Sequence, residues 1–184
     1  GVGYWLCNQT ALRDLIERIA KTSFAKDKNP ADCAAFYLAL GKKSALLSLY
    51  KFVKDQKVTK FLMNDFSDPK WLAAAAKNAF VLEGQRKYLY ATAFFLLANQ
   101  LEDATHVCLI KLKDPQLALI LARLVEPAVV TEGKAAPGVL SQKLLRESIL
   151  APAKESGDCC LCAVGQWMWR EFQPALECLA SQAA

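Results

Sequence analysis

Three Asx-Pro pairs punctuate the chain, Asn29-Pro30, Asp68-Pro69 and Asp114-Pro115, and each opens an apolar stretch with helical spacing. An Asn or Asp in that place accepts hydrogen bonds from the first free amides of a helix. A proline at the first helical position loses nothing, because its missing N–H would have had no partner there. The pairs lie 39 and 46 residues apart, close to the period of roughly 40–47 residues at which HEAT-like helical hairpins recur. Recurrence at that length predicts an all-α fold, an α-solenoid of stacked antiparallel helical hairpins. Stacks of this kind present surfaces to other proteins, and the expectation is a scaffold.

Periodicity places the elements. Leu12, Leu15, Ile16 and Ile19 mark an amphipathic helix over residues 9–22, followed by a polar loop from Lys26 to Asn29. The next helix spans 30–40, and Gly41 ends it as a left-handed cap. The basic corner Lys42-Lys43 leads into a partner helix at 44–54, and a short helix covers 57–66. From Pro69 a helix runs through Trp71, Ala75, Ala79 and Leu82 and again stops at a glycine, Gly84. A second basic corner, Arg86-Lys87, precedes an intensely apolar helix at 88–98. Helices at 100–112 and 116–126 complete a repeat core over residues 1–126. Residues 127–138 carry Pro127, Gly133, Pro137 and Gly138 and read as a mobile connection. Residues 139–184 continue the stack with helices at 139–149, 157–170 and 174–182, the last two split by Phe172-Gln173-Pro174. No alternating strand pattern is visible.

Of the 184 residues, 54% are apolar and 22% charged, which suits a sizeable core and excludes wholesale disorder. Apolar runs such as Ala91–Ala98 fall far short of the roughly 20 residues that span a bilayer, so a soluble chain without a membrane span is expected. The chain begins Gly1-Val2-Gly3 with no basic stretch before an apolar one, so no signal peptide is visible and it reads as a segment of something longer. The net charge of +5 is uneven: residues 1–92 carry 15 Lys and Arg against 8 Asp and Glu, residues 93–184 carry 8 against 10. Lys51, Lys54, Lys57 and Lys60 recur every third residue and would drift slowly around a helix as one basic stripe. A solvated face is the plainer reading of that stripe, contact with an acidic protein surface or an anionic membrane surface the sharper one, and no nucleic-acid reading motif accompanies it.

Chemistry finds little to stand on. Seven cysteines include the cluster Cys159-Cys160-Leu161-Cys162, yet there is no Cys-x-x-Cys unit and only one histidine, His106, so no zinc site is expected. An odd cysteine count fits a reducing compartment in which thiols pack as small hydrophobes. His106 shares a helix with Asp103, but no nucleophile accompanies them. Glu83-Gly84-Gln85-Arg86-Lys87 lacks the glycine framework of a phosphate loop. Trp5, Trp71, Trp167 and Trp169 read as core or interface anchors rather than base-stacking platforms. No catalytic, cofactor or metal residue is expected.

Several stretches together resemble one family. Gly3-Tyr4-Trp5, Leu12-Arg13 and Glu17-Arg18-Ile19-Ala20 form an opening block, and Asn29-Pro30 with Phe36-Tyr37-Leu38-Ala39-Leu40 and Lys42-Lys43 a second. Asn64-Asp65-Phe66, Trp71, Lys77-Asn78-Ala79-Phe80, Leu82 and Gly84 form a third. The strongest block runs from Ala93-Phe94-Phe95-Leu96-Leu97 through Asp103-Ala104, Val107-Cys108, Asp114 and Gln116-Leu117-Ala118-Leu119 to Ala122-Arg123-Leu124 and Glu126. Gly157-Asp158, Leu161, Trp167 and Ala175-Leu176 echo a later hairpin, and the match is poor between Pro127 and Ser156. In this order the blocks resemble the helical C-terminal region of the rabconnectin/DmX-like proteins. The fungal member of that family is the large subunit of the RAVE complex, the regulator of the vacuolar and endosomal proton ATPase.

The resemblance implies a non-enzymatic segment of a very large protein with N-terminal β-propellers and a helical solenoid. It implies partners, namely peripheral-sector subunits of the vacuolar-type ATPase and a Rogdi-like small subunit. It also implies a role in rejoining the peripheral and membrane sectors, and hence in organelle acidification. The implied location is cytoplasmic, peripheral on vacuolar, lysosomal and endosomal membranes through those partners. It carries no binding residues onto this segment. The residues themselves offer the two basic corners, Lys42, Lys43, Arg86 and Lys87, as candidate partner contacts along one edge of the stack. Complementing nearby helix ends is the plainer role for them. The alternative class is a helical-repeat module of a vesicle coat or tethering complex, since solenoids host many functions.

Overall fold

All three Asx-Pro pairs cap as their chemistry requires. Asn29 accepts from the Ala31 amide at 3.2 Å, Asp68 from Lys70 at 2.8 Å and Asp114 from Leu117 at 2.9 Å. These geometries come from a computed structural model, which describes residues 2–126, 129–131, 134–168 and 171–180. In chain order the first helices are α1 (Val2–Trp5), α2 (Gln9–Asp27), α3 (Ala34–Ala39), α4 (Lys43–Phe52) and α5 (Gln56–Leu62). Then come α6 (Pro69–Gly84), α7 (Tyr88–Leu97), α8 (Leu101–His106) and α9 (Pro115–Val125). Strands β1 (Val129–Thr131) and β2 (Lys134–Ala136) precede α10 (Val139–Leu144), α11 (Ala151–Ser156), α12 (Cys159–Met168) and α13 (Phe172–Ala180). The fold class is all-α.

Several local features depart from the periodicity. Helix α2 runs on through Lys26 and Asp27, where the sequence predicts a loop. Asn29-Pro30 opens one turn of 3-10 helix, Pro30–Asp32, before α3 begins. Asp55 and Asp158 cap α5 and α12 through Val58 and Leu161 at 3.1 and 3.0 Å, without a proline to draw attention to them. Pro152 does not end its helix. A π-helical turn, Leu145–Leu150, joins α10 to α11, and that wider turn accommodates a ring that would collide with the carbonyl four residues back in a regular helix. Pro174 likewise sits inside the first turn of α13, where a missing N–H has no consequence. Within the stretch 127–138, β1 and β2 pair as an antiparallel hairpin, with Val130 opposite Ala135. Trp169 lies outside the described residues.

Helix ends hold the largest surprise. Gly41 adopts φ +72° and closes α3 as expected, with the Lys42 amide reaching back to Tyr37 at 2.8 Å. Gly84 does not do the equivalent job for α6. Arg86 takes the left-handed conformation there, at φ 61°, with the Lys87 amide bonded to Leu82 at 3.0 Å. Lys28, Lys54, Asn99 and Lys113 are left-handed in the same way, at φ 52°, 59°, 58° and 54°. This overturns the lysine stripe: Lys51 belongs to α4, Lys57 and Lys60 to α5, and the helix breaks at Lys54 between them. Because a side chain in this region costs about 1–2 kcal/mol that glycine avoids, while glycine returns about 0.5–1 kcal/mol through its looser unfolded chain, Lys54→Gly is expected to stabilise slightly. An upward shift of the urea midpoint checks it.

Two compact units make up the chain: Arg13–Lys113, and Gly1–Leu12 together with Asp114–Ala184. In the first, α6 and α7 pack as a hairpin joined by a three-residue corner, and α3 packs on α7. The seam is made of small residues: Ala34, Ala35, Ala75, Ala79, Ala91, Ala93 and Ala104 are all at most 1% exposed. Leu46, Leu62 and Tyr50 fill one side of it, and Phe94, Phe95 and Val107 the other. Arg13 donates to the Leu40 carbonyl at 2.7 Å, tying α2 to the end of α3.

In the other unit α1 packs on α9 and α12, and α12 on α13. Arg123 is buried on α9 and donates to the carbonyls of Gly3 at 2.9 Å and Leu6 at 2.6 Å. Glu126 accepts from the amides of Leu140 and Ser141 and from the Ser141 hydroxyl at 2.8–2.9 Å, and so starts α10. Trp5 and Trp167 meet edge to face at 6.0 Å, and the Trp167 indole donates to the Trp5 carbonyl. On α13, Phe172, Leu176 and Leu179 face solvent.

Candidate partner-binding groove

Lys42 and Lys43 both have local employment. Lys42 pairs with Glu17 at 2.6 Å, and that ammonium together with Lys21 holds the Glu17 carboxyl below its usual range. Lys43 donates to the Asn64 carbonyl at 3.1 Å and lies over the Phe66 ring at 4.8 Å. The corner therefore fastens α2 and the loop after α5 to the start of α4.

Arg86 and Lys87 differ. Both are exposed, and neither pairs with a carboxylate among the described residues. They line a groove of about 840 Å³ formed where α2, α4 and α6 end and α3, α5 and α7 begin. Lys28 lies on its wall, Asp32 ends the 3-10 turn before α3, Asp55 caps α5, and Tyr50, Tyr88 and Tyr90 line it with them. The two basic corners are thus not neighbours: Lys43 starts α4, whereas Tyr50 and Val53 line the groove at its other end. A ten-residue helix separates them by about 15 Å.

Burial shapes the groove's chemistry. Tyr50 is buried, and its hydroxyl donates to that of Tyr90 at 3.0 Å. Desolvation pushes both phenols above their usual values, so both stay neutral. The Tyr90 oxygen accepts this hydrogen bond, and its own O–H is left to donate. Asp55 accepts the Val58 amide at the start of α5. The groove combines aromatic bodies, a phenolic donor and exposed cations, with no nucleophile and base in bonding order. Lys28, Lys54 and Lys113 escaped notice as groove residues or their neighbours. Each is a basic residue one or two positions past the end of a helix.

The other sequence candidates disperse. Cys33 and Cys108 are buried, and burial pushes the Cys33 thiol up to about 11. Cys7 and Cys160 are exposed, so packing does not describe all seven cysteines. Among the described residues no three His, Cys, Asp or Glu are grouped to hold a metal ion. None of the described helices is long and apolar enough to cross a membrane.

The fold and groove define a predominantly helical segment with a recess where several of its helices end. Over residues 1–184 the chain matches the family described as RAVE protein 1 C terminal. It is 40% identical over 190 residues to DmX-like protein 1 of Mus musculus and to that of Homo sapiens, an overlap covering 99% of this chain and 6% of each relative. It is 37% identical over 184 residues to Regulator of V-ATPase in vacuolar membrane protein 1 of Saccharomyces cerevisiae, covering 97% of this chain and 13% of that protein. The chain therefore spans a small fraction of the length of these relatives. It belongs to the RAVE protein 1 C-terminal family.

Proposed function

We propose that this chain is a non-catalytic scaffold segment of a regulator of the vacuolar-type proton ATPase. The observation that carries the reading is the similarity, running from end to end of the chain, to a yeast protein named as a regulator of that ATPase in the vacuolar membrane. In this reading the helical hairpins continue an α-solenoid in a larger parent. The parent supports reassembly of the peripheral and membrane sectors, and with it organelle acidification. Partners are peripheral-sector ATPase subunits and a Rogdi-like small subunit. The location is cytoplasmic, peripheral on vacuolar, lysosomal or endosomal membranes through those partners. Lys42, Lys43, Arg86 and Lys87 remain the candidate contacts, with Arg86 and Lys87 the better placed because no carboxylate among the described residues pairs with them.

Affinity capture from cytosol with the intact chain as bait, followed by identification of the retained proteins, tests this. Peripheral-sector ATPase subunits are expected. Recovery of coat or tether subunits in their place overturns the reading.

A further inference from the structure

We infer that the groove at the C-terminal ends of α2, α4 and α6 docks an extended acidic segment of a protein partner, one with an aromatic or apolar residue between its carboxylates. The inference rests on the scaffold reading above and names the chemistry of the partner.

Charge comes first. Residues 13–113 carry 17 Lys and Arg against 10 Asp and Glu, whereas the rest of the chain carries 6 against 8. The positive excess thus belongs to the unit that holds the groove. Arg86 and Lys87 present cations to it with no carboxylate partner among the described residues, and Lys28 has only the Phe24 ring, at 5.7 Å.

Backbone conformation comes second. Lys28 and Arg86 line the groove, Lys54 lies between its lining residues Val53 and Asp55, and Lys113 follows its Leu112. All four are left-handed, so among the described residues four of the five non-glycine residues in that conformation are basic and sit at this groove. The conformation costs each about 1–2 kcal/mol. Complementing the carbonyl end of a helix with an exposed cation yields about 0.3–1 kcal/mol. Cap bonds from the Asp55 amide to Tyr50 at 3.1 Å and from the Lys87 amide to Leu82 at 3.0 Å meet the rest of it at two of these ends. The turns at these positions bring four basic residues to one recess, where an incoming carboxylate meets several cations at once.

The lining supplies the third argument. Tyr88, Leu89 and Val53 offer apolar surface, and the Tyr90 hydroxyl keeps a proton to donate. Tyrosine in such places contributes contact area and a polar tip together. Asp32 and Asp55 belong to the same lining, so the occupant's carboxylates are directed to the Arg86-Lys87 corner and its uncharged residue toward the tyrosines. Those two carboxylates also argue against a polyphosphate backbone, which needs a run of cations free of acid. A concave recess does not suit a flat bilayer.

Fluorescence anisotropy of the intact chain tests this, with a fluorescein-labelled peptide alternating Glu and Phe. A peptide alternating Lys and Phe, vesicles of phosphatidylserine and phosphatidylcholine, and single-stranded DNA serve as comparisons. The acidic peptide is expected to bind and the others not. Arg86→Glu with Lys87→Glu is expected to weaken it at least tenfold, while Lys70→Glu with Lys77→Glu, the same charge change on α6, leaves it within twofold. Arg86→Gly separates binding from folding, because it relieves backbone strain while removing a groove cation: the urea midpoint rises and the affinity falls. Acidic-peptide binding that survives the groove reversal, or preferred binding of vesicles or DNA, overturns the inference. So does equal binding of the acidic and basic peptides. Capture of ATPase subunits that persists in the Arg86→Glu, Lys87→Glu variant removes the groove and leaves the scaffold reading standing.

Discussion

Phe95→Ala is expected to lower stability by about 3–5 kcal/mol, the cost of truncating a core phenylalanine. The ring is 1% exposed. It meets the Phe80 ring edge to face at 5.0 Å, an arrangement that itself contributes about 0.5–1.5 kcal/mol. Its cluster includes Ala79, Ala91 and Ala104, residues already reduced to a methyl group. Small neighbours on rigid helices have nothing to swing into a void, so the cavity stays open and its full cost is felt. Phe80→Ala provides the contrast. Phe80 is 56% exposed, so its loss removes the ring pair and little burial, and the expected cost is about 1 kcal/mol. Urea unfolding followed by circular dichroism measures both. Equal losses for the two variants would show that the cluster repacks.

Arg123→Met should cost about 3–4 kcal/mol and release α1. The guanidinium is 8% exposed and faces two backbone carbonyls, those of Gly3 and Leu6. Hydrogen bonds from a charged donor contribute about 1.5–3 kcal/mol each, and the abandoned carbonyls keep their desolvation penalty. Burial already pulls the Arg123 pKa down. Methionine fills the volume but donates nothing. Lysine should not rescue the variant, because one ammonium lacks the fork that reaches both carbonyls. Hydrogen exchange of the α1 and α9 amides reads the outcome, together with the Trp5 and Trp167 fluorescence that reports the ring pair. Undiminished protection of α1 would mean its packing on α12 suffices.

Local chemistry was legible and return paths were not. Asn29, Asp68 and Asp114 announced helix starts because an N-cap is a contract between a side chain and an amide two or three residues away. Asp55 and Asp158 form the same bond but lacked a proline to mark them. Gly84 attracted attention as a helix end because glycine is the usual left-handed residue; the strained position fell on Arg86, which no propensity favours. The spacing of Lys51, Lys54, Lys57 and Lys60 is helical only if the backbone is, and the backbone turns at Lys54. Arg123 stood in a recognisable motif, yet its partners lie 120 and 117 residues earlier, a pairing that no window can hold. The groove was half visible. Arg86 and Lys87 were named from their corner, while Lys28, Tyr50 and Tyr90 join them only when separate helix ends come together.

The alanine seam through α3, α6, α7 and α8 has a consequence for how this protein tolerates change. Residues of that size bury little apolar surface, so they hold the helices at a distance more than they hold them together. Truncating a bulky neighbour leaves the helix spacing in place and costs an amount set by the void. Enlarging any seam residue forces whole helices apart, a strain shared by every turn along the contact. Variation in this segment is therefore directional. Its geometry is fixed by the smallest side chains in the fold, and a gain of one or two carbons there does more damage than a comparable loss elsewhere.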